Sequence, residues 1–363
     1  MTNILFPANF LHKIDSIMRN FWWTGIQEES STHHIAFRAR DDICKPKALG
    51  GLGLKKMALV NRSLVLHSAW MIVNGKDHFL TNILKSKYFH NCSFWKSNIY
   101  GPKSVFWSSI QGVKNDLVKN TSYQLFSDNV NIWSQPWCPI WENIHDHIKL
   151  PTTVHPLPNK VKDLWYPNSN SWNNELITNV FPPQAAEIIK ETPVVPANEP
   201  DTLVWKPEKG GQCTTKEAIR YFVDQEQMVL PSYEGRRLTQ QANSLLQVIW
   251  KSKCIQPNLK TFMWRILRQA IPTGQRVSVI VPEVNNLCKH CTSPKNDLHL
   301  FFKCPFSRAV WFTCNYPMRT DSILDEEDGL QQTLTHLIPT HINHDMLANI
   351  ILTLWYIWRA RND

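Results

Sequence analysis

The sequence predicts a mainly α-helical fold with small β-hairpins. Apolar residues recur every three to four positions in several long segments, which is the pattern of helices with one buried face. Proline and glycine separate these segments, and the middle of the chain is proline-rich without a clear period. Three cysteines and two histidines lie close together between residues 288 and 304. We therefore expect a helical region at each end, joined by an irregular connection.

The first region, residues 1–138, shows the helical period most clearly. Apolar residues follow it from Pro7 to Phe21, and proline favours the first turn of a helix. The stretch YQLFSDNVNIW predicts two short strands around Asp128 and Asn129, and thus a tight hairpin at the end of the region. Further helices are expected over residues 57–73, 77–89 and 105–119.

Two further regions follow, a connecting region over residues 139–240 and a last region over residues 241–363. The connection contains LVWKPEKGGQCTTKEAIRYF, which predicts a strand, a Gly-Gly turn, a second strand and a helix capped near Thr214 or Thr215. The remaining predicted helices are residues 183–190, residues 258–269, one from Phe306 and one from Asp345.

Composition narrows the class of protein. A chain of 363 residues with 43% hydrophobic and 19% charged residues is long enough and apolar enough for two or three folded domains. No apolar run is long enough for a membrane span, and the N-terminus lacks the pattern of a secretory signal. Nine cysteines, three of them at metal-ligand spacing, favour a reducing compartment over a disulfide framework. We expect an intracellular protein, nuclear or cytoplasmic.

The stretch CKHCTSPKNDLHLFFKC predicts a metal site. It places Cys288, Cys291, His299 and Cys304 in the spacing C-x2-C-x7-H-x4-C. Zinc takes four such ligands in a tetrahedron, and a full set leaves no open position for an activated water. The pattern therefore predicts one structural Zn²⁺ ion. His290 or Cys314 could replace a ligand, and the alternative interpretation is a set of unrelated buried cysteines.

The positive charge of the chain is concentrated around this stretch. The net charge is +9, and residues 250–319 alone contain eleven basic and two acidic residues. Such a surplus beside a small Cys/His module predicts a polyanion partner, RNA or single-stranded DNA, although a solvated basic face would look the same. The side chains predicted to contact phosphates are Arg265, Arg268, Lys289, Lys295, Lys303 and Arg308.

These motifs carry a family resemblance. CKHC and DLHLFFKCPFSRAVW, preceded by IWKSKCIQPNLKTFMWRILRQAIPT, resemble the zinc-binding domain of reverse transcriptases from plant LINE-type (non-LTR) retrotransposons. FWWTG, ICKPKALGGLGLKKMALVNRSLVLHSAW and LKSKY are similar to the segment that follows the polymerase palm in that family. SVFWSSI, DNVNIWSQPW and LVWKPEKGGQCTTKEAIRYF are similar to the connection before the zinc domain. The resemblance covers about residues 5–361 and implies a helical thumb-like first region, an irregular connection and a C-terminal zinc-binding helical module with three cysteine ligands and one histidine ligand.

The resemblance also implies that this chain is not an enzyme. The family polymerase binds its catalytic metals through aspartates that include a Y-x-D-D motif, and that motif belongs before the matched region. The nearest look-alike, Phe126 to Asn129, has one carboxylate and is interpreted as a turn. GGLGLKK, residues 50–56, lacks the ending of a P-loop and is also interpreted as a turn. We expect a non-catalytic nucleic-acid-binding fragment; the alternatives are a structural or protein-interaction remnant, or a thumb-like accessory to a separate reverse transcriptase palm chain.

Overall fold

The computed structural model describes residues 3–24, 35–75, 78–97, 103–126, 129–149, 154, 156–167, 169, 171–195, 199–229, 238–321, 323, 329–339 and 342–361. The chain divides into two compact units. The first comprises residues 1–12 and 57–231, and the second comprises residues 13–56 and 232–363. The three regions predicted from sequence character, 1–138, 139–240 and 241–363, group the chain differently and stay a prediction.

Helices dominate the described chain, so the predicted mainly helical class is confirmed. In chain order the elements are α1 (Ala8–Thr24), α2 (Arg40–Cys44), α3 (Met57–Val73), α4 (His78–Tyr88), α5 (Val105–Asn120), β1 (Thr121–Gln124), α6 (Asn174–Val180), α7 (Pro183–Lys190), β2 (Thr202–Trp205), α8 (Thr215–Val229), α9 (Gln240–Lys251), α10 (Pro257–Leu267), α11 (Gly274–Ser278), α12 (Pro305–Thr313), α13 (Gly329–Leu337) and α14 (His344–Ala360). Short 3-10 turns lie between several of them, and residues His299–Lys303 form a π-helical turn.

Local signals place the helix ends well. Ser104 precedes α5, and its hydroxyl oxygen accepts a hydrogen bond from the Trp107 backbone N–H. Pro183 and Pro257 occupy the first turns of α7 and α10, where a missing N–H costs nothing. In the first unit α3 packs against both α5 and α8, which is why apolar residues cover most of its circumference.

The strands pair differently from the prediction. β1 pairs antiparallel with β2, with Thr121 opposite Trp205, so the sheet is a long-range pair and not the predicted hairpin around Asp128 and Asn129. The Asp201 carboxylate, from a distant part of the chain, instead accepts hydrogen bonds from the backbone N–H groups of Phe126 and Asn129. Part of the predicted turn, residues 127 and 128, lies outside the described residues. The Gly-Gly turn after β2 is present, but residues 206–214 lead to α8 without a second strand.

Several tryptophan side chains fill the cores of the two units. Trp70, Trp107 and Trp205 are almost fully buried in the first unit, and Trp264 and Trp311 are buried in the second. Indole rings fill large core volumes, and their edge-to-face contacts add to the burial energy. None of the described helices is both long and apolar enough to cross a membrane.

An N-terminal segment completes the core of the second unit. Ile43 is fully buried in the same cluster as α9, α10 and α14. The Trp264 indole N–H donates to the Gly50 carbonyl oxygen at 2.9 Å, and the Asn243 amide donates to the Ala48 carbonyl oxygen at 3.0 Å. Residues 38–56 are thus part of the folding unit that contains the Cys/His stretch.

The glycines of GGLGLKK serve this packing. Gly50 and Gly53 adopt positive φ angles of 76° and 71°, which favour glycine. A Cβ atom on Gly51 would overlap the Lys45 backbone carbonyl oxygen. The segment is therefore a tight turn, as interpreted from its sequence.

Replacing Ile43 with alanine tests whether residues 38–56 stabilise the second unit. Ile43→Ala should lower the free energy of unfolding by about 2–5 kcal/mol, because it leaves a cavity in a closed core. The matched control is Leu49→Ala, which shortens a side chain that is 55% exposed and should change stability by less than about 0.5 kcal/mol. Urea unfolding followed by circular dichroism measures both, and equal midpoints would show that the segment is not part of this core.

Candidate metal centre

The four predicted ligands converge. The sulfur atoms of Cys288, Cys291 and Cys304 and one ring nitrogen of His299 all lie within 4.8 Å of one another. The Cys288 and Cys304 sulfurs are 3.9 Å apart, and the Cys291 sulfur is 3.2 Å from the His299 Nε2 atom. Cys288, His299 and Cys304 are buried, whereas Cys291 is partly exposed.

A tight turn presents the two sulfurs of the C-x2-C pair. The Thr292 N–H donates to the Cys288 carbonyl oxygen at 2.9 Å, and the Cys288 N–H donates to the Ser293 carbonyl oxygen at 2.8 Å. Thr292 is in the left-handed region, with a φ angle of 58°. This reversal of the chain allows both sulfurs to point to one side, and a β-branched residue adopts it at some cost.

A π-helical turn aligns the other two ligands. The Cys304 N–H donates to the His299 carbonyl oxygen at 2.9 Å, which is an i to i+5 hydrogen bond. Five residues make slightly more than one π turn, so His299 and Cys304 lie on one face, which an ordinary α-helix would not achieve. The Asn296 side chain accepts the His299 N–H at 2.7 Å and caps the turn.

Buried side chains satisfy the carbonyl groups that the wider turn leaves free. Ser307 donates to the Leu300 carbonyl oxygen, the Trp311 indole donates to that of Phe301, and Thr320 donates to that of Phe302, at 2.6, 2.8 and 2.9 Å. Unpaired buried carbonyl groups are costly, so these contacts hold the turn in its unusual geometry. The Cys304 residue also caps α12, with Pro305 in the first turn.

The electrostatic surroundings favour a thiolate at Cys288. Burial raises the pKa of this thiol, but the His290 N–H, the His299 side chain and the Arg361 charge outweigh it and lower the pKa to about 6. At Cys304 burial is again the largest influence on the thiol, and here it is not outweighed, so the pKa of Cys304 is raised. Deprotonated sulfur is the form that binds metal, and a bound cation would favour it at every cysteine of the cluster.

The donor set fits a zinc ion. Bonds of about 2.3 Å in a tetrahedron place two sulfurs about 3.8 Å apart, close to the distance between Cys288 and Cys304. Three sulfurs and one imidazole are soft and borderline ligands, which suit Zn²⁺ better than Mg²⁺ or Ca²⁺. Bound there, the ion would link the turn, the π-helical turn and the start of α12, and all four positions would be filled by the protein.

The two substitute ligands lie outside the cluster. The His290 ring is stacked on the Phe306 ring at 5.0 Å between centroids, and it is solvent-exposed. The Cys314 thiol donates to the Trp311 and Tyr316 carbonyl oxygens. Both side chains have other contacts, and neither belongs to the converging set.

Two of the predicted phosphate contacts are used inside the protein. Arg268 is 6% exposed and forms an ion pair with Asp42 at 2.8 Å. Arg265 lies over the Trp22 ring at 4.6 Å and donates to the Trp22 carbonyl oxygen, and burial lowers its pKa. A sequence count of charges does not distinguish such internal arginines from surface ones. We therefore leave Arg265 and Arg268 out of the candidate interface.

The other four cations lie nearer to solvent. Lys289 is exposed on the C-x2-C turn, and Arg308 is exposed on α12, where it pairs with Asp321. Lys295 and Lys303 are half-buried, and burial lowers the pKa of Lys295. These four residues flank the ligands in sequence, and we call them the knuckle cations.

Sequence reasoning missed Arg361. Its guanidinium donates to the Cys288 sulfur at 2.7 Å from the end of α14, although the two residues are far apart in the chain. No spacing rule connects a C-terminal arginine to a cysteine turn, so only the folded chain identifies it.

Removal of one ligand tests the centre. Metal-loaded protein should lose thermal stability on chelation, because structural zinc contributes on the order of 10 kcal/mol to folding modules of this kind. Cys304→Ser should abolish this response, while Cys314→Ser, a matched change outside the cluster, should retain it. Thermal unfolding with and without chelator measures the difference, and identical responses of the two variants would argue against the site.

A second prediction concerns the strained turn. Thr292→Gly should raise the free energy of unfolding by about 0.5–1 kcal/mol, because relief of a left-handed conformation outweighs the added flexibility of glycine. Thr292→Ala keeps the Cβ atom and should show no such gain. Urea midpoints compare the two, and a loss of stability in the glycine variant would contradict the strain argument.

Comparison with known proteins agrees with this geometry. Residues 229–311 match the family model described as zinc-binding in reverse transcriptase. The chain is 25% identical over 324 residues to an Arabidopsis thaliana protein named "Putative ribonuclease H protein", an alignment that covers 86% of this chain and 48% of the relative. It is also 24% identical over 128 residues to an uncharacterized mitochondrial protein of Arabidopsis thaliana, covering 34% of this chain and 80% of that protein.

The chain thus spans about half the length of the first of these relatives. The family match begins at the end of α8 and contains all four converging side chains. These matches agree with the resemblance predicted from the motifs: residues 229–311 are similar to the zinc-binding region of reverse transcriptases, and both relatives are plant proteins.

Proposed function

We propose that this chain is a non-catalytic nucleic-acid-binding region of a retrotransposon reverse transcriptase, with one structural Zn²⁺ ion held by Cys288, Cys291, His299 and Cys304. The observation that supports it most is the exposed cation Lys289, which lies between two ligands on the turn that the metal would hold rigid. A cation on a rigid turn contacts a phosphate with little loss of conformational freedom. The proposal includes an intracellular location, nuclear or cytoplasmic.

The knuckle cations are the proposed phosphate contacts. Lys289 and Arg308 are exposed, and the Arg308 pair with Asp321 is an exposed ion pair of the kind that contributes little to stability. Exchange of Asp321 for a phosphate therefore costs little. Lys295 and Lys303 are half-buried, and their charged ends would add to the local positive potential.

An aromatic surface beside Lys289 favours single strands. The His290 and Phe306 rings are parallel to within 9°, and His290 is exposed. Unpaired bases stack on such rings, whereas bases in a duplex are not accessible to them. We therefore propose RNA or single-stranded DNA as the partner, bound with little sequence preference.

One observation supports the non-catalytic part of the proposal. Phosphoryl transfer with two metal ions needs several converging carboxylates. Within the described residues, the cysteine and histidine cluster is the one group of three or more His, Cys, Asp or Glu side chains arranged to hold a metal ion. The ribonuclease H name belongs to a relative of which the alignment covers 48%, so the proposal includes no ribonuclease H activity.

A protein-interaction role is the second candidate. Val279 and Ile280, which follow α11, are 81% and 52% exposed, and Val284 and Leu287 are also exposed before the first ligand. A run of exposed apolar side chains favours protein contacts over phosphate contacts. A separate reverse transcriptase palm chain is one such partner, and co-purification with it would support an accessory role.

Charge reversal tests the proposed binding. The full chain, loaded with zinc, is titrated into fluorescent single-stranded RNA and DNA at several salt concentrations. Lys289→Glu with Arg308→Glu should weaken binding at least tenfold and reduce the salt slope by about 1.4, because two phosphate contacts are lost.

The matched control is Lys85→Glu with Lys87→Glu on α4. These two lysines are exposed on the first unit, and the change in net charge is the same. The control should bind as the wild type does. Equal weakening by both pairs would indicate a general charge effect, and binding that does not respond to salt would contradict the electrostatic mechanism.

A further inference from the structure

Arg361 is a buried cation with no carboxylate partner among the described residues. Its side chain is 9% exposed, and the guanidinium donates to the Leu300 carbonyl oxygen at 3.2 Å, the Ser307 hydroxyl at 3.4 Å and the Cys288 sulfur at 2.7 Å. An arginine stays charged at any ordinary pH, and a buried charge without a counter-charge is strongly unfavourable. Of the three contacts, only the sulfur can carry a full negative charge.

We propose that Arg361 is the counter-charge of the metal centre, so that metal binding and the docking of the end of α14 depend on each other. Three thiolates, a neutral imidazole and one divalent cation carry a net charge of minus one. One buried guanidinium neutralises that charge. A centre of four thiolates would carry one more negative charge, and a centre of two thiolates and two imidazoles would carry none. A single buried arginine that donates to a ligand sulfur therefore matches a set of three thiolates and one imidazole, and the half-buried Lys295 interacts with Cys288 through its charge without such a contact among the described residues.

The position of Arg361 makes it a positioning residue for one ligand. Its contacts join Cys288 on the C-x2-C turn to Leu300 on the π-helical turn and to Ser307 on α12. These are the three pieces of chain that supply the ligands. The family match ends at residue 311, so the metal module extends through α14 beyond the part recognised by that model.

A purely structural role is the competing explanation. Arg361 could hold the Leu300 carbonyl group and the end of α14 without regard to the charge of the centre. The two explanations differ in one respect: a counter-charge matters only while the centre is negative, whereas a packing contact matters whatever ligands are present.

A double-mutant cycle in the full chain separates them. Zinc affinity is measured by competition with a chromophoric chelator for wild type, Arg361→Met, Cys291→His and the double variant. Arg361→Met should weaken zinc binding about 10- to 100-fold, the usual effect of losing a group that orients or neutralises a ligand. Cys291→His makes the centre neutral at a ligand that Arg361 does not contact, and in that background Arg361→Met should cost less than about threefold.

Arg359→Ala is the matched control, an exposed arginine at the end of the same helix, and it should bind zinc as the wild type does. Hydrogen exchange supplies a readout that needs no affinity: chelation should increase exchange at residues 354–361 of the wild type. Two results would overturn the proposal. The first is an Arg361→Met variant that binds zinc within twofold of the wild type. The second is an equal loss of zinc affinity on Arg361→Met in the wild-type and Cys291→His backgrounds.

The inference depends on the proposed metal site but not on nucleic-acid binding. A wild-type chain that binds no zinc would refute the site itself. A wild type that binds zinc, with Arg361→Met unaffected, would refute only the counter-charge. If Arg361→Met fails to fold, Arg361→Lys keeps the charge and should retain more zinc affinity than Arg361→Gln; equal losses in these two would refute the proposal.

Discussion

The convergence of three thiols and one imidazole is the constraint on which the C-terminal module depends. The residues from Lys289 to Asp297 are mostly polar and form turns, so the C-x2-C turn has little apolar surface of its own to hold it in place. The π-helical turn differs, because Leu300, Phe301 and Phe302 are fully buried in the core of the second unit. A tight turn with a strained Thr292 and a π-helical turn are both costly backbone choices. Both conformations direct ligands to one point, and the free energy of metal binding can offset several kilocalories per mole of local strain.

The metal module belongs to a folding unit larger than the family match over residues 229–311, because residues 13–56 are part of the same unit. Ile43 and the turn at Gly50 pack on α9 and α10. Arg268 forms an ion pair with Asp42 within the same unit. The six basic residues predicted to contact phosphates therefore divide into two groups. Arg265 and Arg268 form contacts inside the second unit, whereas the knuckle cations lie nearer to solvent, with Lys289 and Arg308 exposed and Lys295 and Lys303 half-buried.

Much of the fold was predictable because its signals are local. The bounds of α3 follow from helical periodicity, and α7 begins where a proline occupies the first turn. The ligand spacing identified all four converging side chains. The pairing of β1 with β2 was not predictable, since a turn signal at Asn129 says nothing about a partner near Asp201. The burial of Arg268 and the approach of Arg361 to Cys288 likewise depend on tertiary contacts that no spacing rule contains.

The most direct test of the central claim is the absorption spectrum of the full chain titrated with Co²⁺ in place of zinc. A closed centre of three thiolates and one imidazole predicts a stoichiometry of one ion per chain, intense visible bands of tetrahedral Co²⁺ and a thiolate charge-transfer band. Zinc should then remove these bands. Weak octahedral bands, or a tetrahedral spectrum that survives Cys304→Ser unchanged, would contradict the account of how this module is held together.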